Sequence, residues 1–281
     1  MPSCSNSEIR RCRPLLGTFV EITASGLDDA ALHRAVNAAF AALERIQNLM
    51  SVHDPASELS LVNREAADRP VTVSRETFAV LLHADTLASE SGGAFDYTIA
   101  PTLARWGLLP KELERKAPGS WRQVRLLSDD RVRFLRPLAV DLGGIAKGVA
   151  VDAAIEALRA QHVTAAVVNA GGDLRMVGSQ PCTVHLRHPS KPQTFGQTLS
   201  LRESALATSS PCFSQRTWRG QKVSHLVNPT TSQAITGAVS VSVRAPECWL
   251  ADALTKVVLN APHVADRLLA KYDAEAFMLL V

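Results

Sequence analysis

The segment Asp141-Leu142-Gly143-Gly144-Ile145-Ala146-Lys147-Gly148 puts a carboxylate, two adjacent glycines and a lysine within one turn. Paired glycines let a backbone approach a ligand closely. Amides at a helix N-terminus favour anions such as phosphate, and Lys147 adds a mobile positive charge. Two readings stand side by side, a phosphate-binding turn and a plain strand-to-helix turn. No Gly-Lys-Ser/Thr ends the segment, so it is not a Walker A loop, and it is not a GxGxxG dinucleotide fingerprint.

Four other constellations could add chemistry. Asn169-Ala170-Gly171-Gly172-Asp173 is a second glycine pair at a strand end, and by itself it reads as a turn. In Gly92-Gly93-Ala94-Phe95-Asp96-Tyr97-Thr98 a carboxylate beside an aromatic could bind a base or a ribose, or Asp96 could cap a turn. Asp252, Thr255 and Lys256 fall at i, i+3 and i+4 on one helical face. Oxygens of Asp252 and Thr255 suit a hard cation such as magnesium, while Asp252 with Lys256 also makes an ordinary ion pair. In Ser224-His225-Leu226-Val227-Asn228-Pro229-Thr230, His225 precedes a turn and could serve as a general base, because imidazole titrates near working pH. Cys182, His185 and His188 recur every three residues, a spacing that alternates faces on a strand and keeps them from sharing a metal.

The elements that must position these groups follow from periodicity. Gly17 to Ala24 alternates as a strand. Asp28 caps a helix whose stripe is Leu32, Val36, Ala39, Phe40, Leu43, Ile46 and Met50. A loop spans Ser51 to Ser57. Val71 to Val73 is a short strand, and Ser74 caps a helix to about Ser89, ended by Gly92-Gly93. Ala94 to Trp106 reads as irregular, and Pro110 to Gly119 as a charged loop. Val124 to Leu127 and Val132 to Phe134 are strands around the turn Asp129-Asp130. Leu138-Ala139-Val140 reads as a buried strand end before a helix from about Ile145 to Gln161. Ala165 to Asn169 is a strand. Strands near Thr183 to Arg187, Gln197 to Leu201 and Val239 to Arg244 suggest a largely antiparallel second sheet. Cys248 to Asn260 and Pro262 to Lys271 are helices, and Phe277 to Val281 is a last strand. The mixture lacks regular βαβ alternation, so the expected class is α+β.

The chain has 281 residues, enough for a substantial core. Residues 1–13 read as a flexible tail and 14–281 as a single domain. A net charge of +3 is too small to argue for nucleic acid. Arg10, Arg11 and Arg13 read as part of the solvated tail. The 5 cysteines form no CxxC pair, which points to a reducing compartment. No stretch is apolar and long enough to span a membrane.

In this order the motifs resemble the ApbE family of FAD:protein FMN transferases. The resemblance runs through Leu16-Gly17-Thr18, Met50 to Ser60, Gly93 to Asp96 with Pro101 and Trp106-Gly107, Asp141 to Gly148 with Asp152, Asn169 to Asp173, Ala207-Thr208-Ser209, Ser224-His225 and Ala251 to Leu254. It implies an ApbE-like, T-fold-like arrangement of mixed sheets with flanking helices in two closely packed lobes, with FAD in the cleft between them. It also implies a divalent metal, usually magnesium, beside the diphosphate. The implied reaction moves FMN from FAD to a Ser or Thr hydroxyl of an acceptor flavoprotein subunit, with release of AMP.

Carried onto this sequence, the resemblance gives the diphosphate to the Gly143-Gly144 turn and Lys147, and the adenosine end to Ala94, Phe95 and Asp96. His53 falls where the family places an aromatic near the flavin. Leu16, Met50, Asp141, Gly171, Gly172, Asp173 and Leu226 are further expected FAD contacts. The Gly144 carbonyl, Asp252 and Thr255 are the expected metal ligands, and His225 the base. The sequence also departs from the family. The metal-binding helix usually reads Asp-x-x-x-Thr, but here the fourth position after Asp252 is Lys256 and the threonine comes one residue early. Ser210-Pro211 replaces Gly-Asp after the Thr-Ser pair, and Asn228-Pro229 replaces Asp-Pro. Two other readings use the same residues: an FAD-binding protein with little catalysis, and a metal-dependent FAD pyrophosphatase. Relatives often carry an export or lipoprotein signal that residues 1–13 do not show, so two compartments stay open: the cytoplasm for the chain as it stands, or the cell-envelope side of the membrane if such a signal was removed.

Overall fold

A computed structural model describes residues 7–191 and 193–280. The chain starts with the hairpin β1 (Glu8–Leu15) and β2 (Thr18–Ser25), followed by α1 (Asp29–Met50), α2 (Glu58–Glu65), β3 (Val71–Thr72), α3 (Arg75–Glu90) and α4 (Ala100–Arg105). Strands β4 (Val124–Leu127) and β5 (Arg131–Phe134) lead to α5 (Ala146–Ala160), then to β6 (Ala165–Ala170) and β7 (Asp173–Val177). Next come β8 (Cys182–Arg187), β9 (Phe195–Leu201) and β10 (Ala205–Ser209). Two small hairpins follow, β11 (Arg216–Trp218) with β12 (Gln221–Val223) and β13 (Val227–Asn228) with β14 (Gln233–Ala234). The last described elements are β15 (Val239–Ala245), α6 (Cys248–Asn260), α7 (Pro262–Lys271) and β16 (Glu275–Leu280).

The frame is a 7-stranded sheet in the order β1-β2-β6-β7-β10-β15-β16, antiparallel at every pairing. Helices α1, α5 and α6 pack on one face. Alternation along β2 sends Val20, Ile22 and Ala24 into that helical core. Strand β7 is buried along its whole length because both of its faces are covered. Leu174 and Met176 point away from the helices and meet Leu186 and Leu201 of the β8–β9 hairpin. A 3-stranded sheet, β3-β5-β4, stands apart beside α3. The fold class is α+β, as the sequence indicates.

Several expectations change. Glu8 to Arg13 is an edge strand rather than tail: it pairs residue for residue with β2, and its arginines hold Glu21, Asn37 and Glu44. The rest of the expected tail, Met1 to Asn6, lies outside the described residues, as do Cys4 and the Val281 end of the last strand. Leu138 to Val140 is buried but is not a strand. The side chain of Asn63 accepts from the Val140 amide at 2.8 Å and donates to its carbonyl at 2.9 Å, doing what a neighbouring strand would do. Among the described residues there is no second sheet of the expected composition. Val239–Ala245 is the sixth strand of the main sheet, and β8 and β9 form a hairpin across its far face. Helix α4 occurs where the sequence reads as irregular, α2 follows the expected loop in a stretch without a sequence signal, and both are short.

Candidate active site

A cavity of about 670 Å³ opens at one end of the main sheet, a size typical of small-molecule sites. Two hairpin turns form part of its floor. Leu16 and Gly17 join β1 to β2, both at positive φ (55° and 71°). Gly171 and Gly172 join β6 to β7 at 65° and 108°, a left-handed pair that favours glycine. The turns touch, since a Cβ on Gly171 would lie 2.5 Å from Thr18 Oγ1. The C-terminal end of α1 contributes Gln47 and Met50 to the lining, and the end of β10 contributes Thr208 and Ser209. Gln47 Oε1 accepts from the Leu16 amide at 2.6 Å and fixes the first turn to the helix.

The Gly143-Gly144 turn lies on the wall, but it works differently from the sequence expectation. Neither glycine is at positive φ. Gly144 leaves room for its neighbours: a Cβ there would stand 3.4 Å from Phe95 Cε2 and 3.6 Å from Lys256 Cε. Several amides at the start of α5 are already engaged. Ile145 and Ala146 donate to the Leu142 carbonyl at 2.9 and 2.8 Å, and Gly148 donates to Asp252 Oδ2 at 3.3 Å. Positive charge at this wall therefore comes mainly from side chains.

Those side chains are Lys147 and Lys256, and both line the cavity. Lys147 bonds Asp173, and Lys256 bonds Asp252. Both carboxylates are nearly sealed, at 2% side-chain exposure, whereas the lysines keep 37% and 18%. Burial pulls the Lys147 ammonium toward neutrality, but the facing Asp173 and Asp252 outweigh it and hold the group charged. Gly172, Asp173, Asp252 and Thr255 are not on the lining. Thr255 is fully buried, donates to the Asp252 carbonyl at 2.6 Å and shares a 2.7 Å bond with Ser209. It turns into the helix–sheet contact, away from the expected metal seat.

At the mouth stand His225 and His53. The buried Ser224 hydroxyl ties the His225 segment together: it accepts from the Leu226 amide at 3.2 Å and bonds the Ile235 carbonyl at 2.7 Å. Partial burial, then Arg216, His53 and Lys147, push the His225 imidazole below its ordinary value, so it is neutral at neutral pH. Asp96 lines the cavity yet also caps its own turn, accepting from the Thr98 amide and hydroxyl at 2.8 and 2.7 Å and from the Trp121 amide at 3.3 Å. Burial raises its carboxyl. Asp141 accepts from the Gly143 amide at 3.1 Å, and burial raises its carboxyl as well.

Leu16, Met50, His53, Ala94, Phe95, Asp96, Asp141, Gly144, Lys147, Gly171, His225 and Leu226 are thus brought to one cavity from across the chain. Sequence reasoning missed Asn260. Its amide at the end of α6 donates to the carbonyls of Ala94 (3.0 Å) and Val227 (3.3 Å) and fastens two walls together. Its own carbonyl oxygen is buried without a protein partner, on a residue that lines the cavity. A lone asparagine at a helix end carries no sequence signal for such a role.

The sheet, its helical layer and the lysine-lined cleft define an α+β protein with a cleft suited to an anionic ligand. The ApbE family pattern matches residues 16–278, and the chain belongs to that family. It is 30% identical over 229 residues to an FAD:protein FMN transferase of Vibrio cholerae serotype O1, covering 75% of this chain and 69% of that one. It is 28% identical to one of Chlamydia pneumoniae, covering 88% and 81%. Among solved structures, an ApbE protein from Thermotoga maritima superposes with a TM-score of 0.86 at 24% identity, covering 97% of this chain and 94% of that one. A mutant of the Vibrio cholerae flavin transferase ApbE gives 0.80 at 25% identity, covering 97% and 93%.

Proposed function

We propose that this chain is an FAD:protein FMN transferase, moving the FMN half of FAD to a hydroxyl of an acceptor protein and releasing AMP. The observation that carries this reading is one cavity in which two lysine ammonium groups line the wall and a neutral imidazole stands at the mouth. In the reaction, the acceptor hydroxyl oxygen bonds to the FMN-side phosphorus. The phosphoanhydride bond breaks, AMP leaves with the bridging oxygen, and the hydroxyl proton is taken up. Such a transfer needs positioning and charge neutralisation more than covalent help. Lys147 and Lys256 neutralise the diphosphate, the two hairpin turns and Asn260 shape the pocket, and His225 receives the proton. The acceptor residue is a serine or threonine on a flavoprotein subunit.

A divalent ion at such a site supplies charge neutralisation for the diphosphate. The residues of this chain do not fit one. Asp252 Oδ1 accepts from Lys256 and Oδ2 from Gly148, while its carbonyl accepts from Thr255 and Lys256. No oxygen of that residue is left without a donor.

The test is to incubate the protein with FAD and a candidate acceptor and to follow flavin fluorescence in denaturing gels together with AMP release. Labelled acceptor is the expected result. AMP without labelled acceptor would make the chain an FAD pyrophosphatase. Absence of saturable FAD binding would overturn the reading.

A further inference from the structure

We propose that the Lys256 ammonium is a built-in cation at the diphosphate seat, so that this chain binds FAD without a divalent metal. The inference rests on the FAD reading above. It starts from a helix-turn spacing: Lys256 lies one turn after Asp252 on α6, so its side chain folds back along the helix onto that residue. There it donates both to the Asp252 carboxylate and, at 2.9 Å, to the Asp252 carbonyl. An ammonium has three N–H donors, and these contacts use two of them. Lys256 also lines the cavity, with Cε beside the Gly143-Gly144 turn. The remaining N–H is therefore available to an anion seated at that turn.

A magnesium ion competes poorly for the same place. It demands near-octahedral oxygen coordination at about 2.1 Å. To obtain oxygens from Asp252 it would have to expel the ammonium from a carboxylate of 2% exposure, leaving two cations crowded together. The threonine that might add an oxygen faces the sheet instead. Lys147, from the first turn of α5, stands on Asp173 in the same way. The site thus holds two fixed ammonium groups anchored on two buried carboxylates, an arrangement complementary to a diphosphate without further cations.

The experiment is FAD titration of the full chain, followed by flavin fluorescence, in EDTA and in excess magnesium chloride. Wild type is expected to show the same Kd in both. Lys256→Thr is expected to lose about tenfold or more in EDTA and to recover affinity with magnesium. Lys256→Arg, which keeps the charge, is expected to bind in EDTA. Circular dichroism melts check that each variant folds. If Lys256→Thr does not fold, calorimetric titration of magnesium into wild type decides: no binding is expected, and one-to-one binding overturns the inference. Wild-type affinity that rises about tenfold with magnesium, or a folded Lys256→Thr that binds like wild type in EDTA, overturns it while leaving the transferase reading intact. No FAD binding in either buffer overturns that reading itself.

Discussion

Asp152 and Asp252 sit on neighbouring helices and cap each other's helix. Neither α5 nor α6 has a side-chain cap of its own. Asp152, on α5, accepts from the Cys248 and Trp249 amides at the start of α6, at 2.9 and 2.8 Å. Asp252, on α6, accepts from Gly148 in the first turn of α5. Each carboxylate satisfies helix N-terminal donors and meets the positive end of a helix dipole. The two differ in their cations. Arg175 reaches Asp152 from β7 at 2.9 Å, and both side chains are about nine-tenths buried. Lys256 reaches Asp252 from the same helix and borders the cavity. The arginine pair lies away from the cavity and holds the helices to the sheet. The lysine pair keeps one side toward a ligand. The same device serves architecture in one place and, on our reading, anion binding in the other.

The largest test of this contrast is Asp152→Ala. It leaves the buried Arg175 with only Glu156, 3.6 Å away and half exposed, and two amides uncapped, at a cost of about 3 kcal/mol. Chemical denaturation should report that loss, while the Kd for FAD of the folded fraction stays unchanged. A shifted Kd would break the contrast. Gly148→Ala should cost about 1–3 kcal/mol, because its Cβ would lie 2.4 Å from the Cys248 carbonyl oxygen and push the helices apart. A variant as stable as wild type would show that the reciprocal caps tolerate separation. Lys147→Met should weaken FAD binding by about tenfold, near 1.4 kcal/mol, and make binding less sensitive to salt. Unaltered salt dependence would count against a cavity-facing role.

The last test is a pH profile. The His225 imidazole lies below 6.5 in the folded chain, so it becomes neutral at lower pH than a free histidine. The acid limb of kcat/KM should therefore fall below pH 6.5 and disappear in His225→Gln. The stability linked to this shift is present above pH 6.5 and is lost as pH falls through the lowered folded value, because there the unfolded chain binds the extra proton. A limb above 6.5 would remove His225 as the base.

Elements with strong local signals are legible in the sequence. The α1 stripe from Leu32 to Met50 is buried as its spacing indicates, and Asp28 and Ser74 cap the helices they precede. Helices α6 and α7 begin and end at the expected residues. Helix α2 is not legible, because it is eight residues long and is held from outside. Ser57 caps it, and Glu58 binds the Ser74 amide and the hydroxyls of Ser74 and Thr77 at the start of α3. Leu138 to Val140 has the composition of a strand, but a distant asparagine takes its hydrogen bonds. Nothing within five residues of Val140 announces that. The arginines near the N-terminus look like a tail, and only pairing with β2 makes them an edge strand.

By itself the sequence determines the α+β class, the main helices, the glycine turns and the family, because these depend on local periodicity, turn chemistry and motif order. Only the tertiary structure decides which groups meet. Thr255 and Lys256 are adjacent on one helix, and either could serve a cation site by spacing alone. Packing against β10 buries the Thr255 hydroxyl on Ser209, while Lys256 folds back onto Asp252 at the cavity wall. Neighbouring residues on a helix are about 100° apart, so the docking of α6 on the sheet sends one inward and leaves the other facing the site.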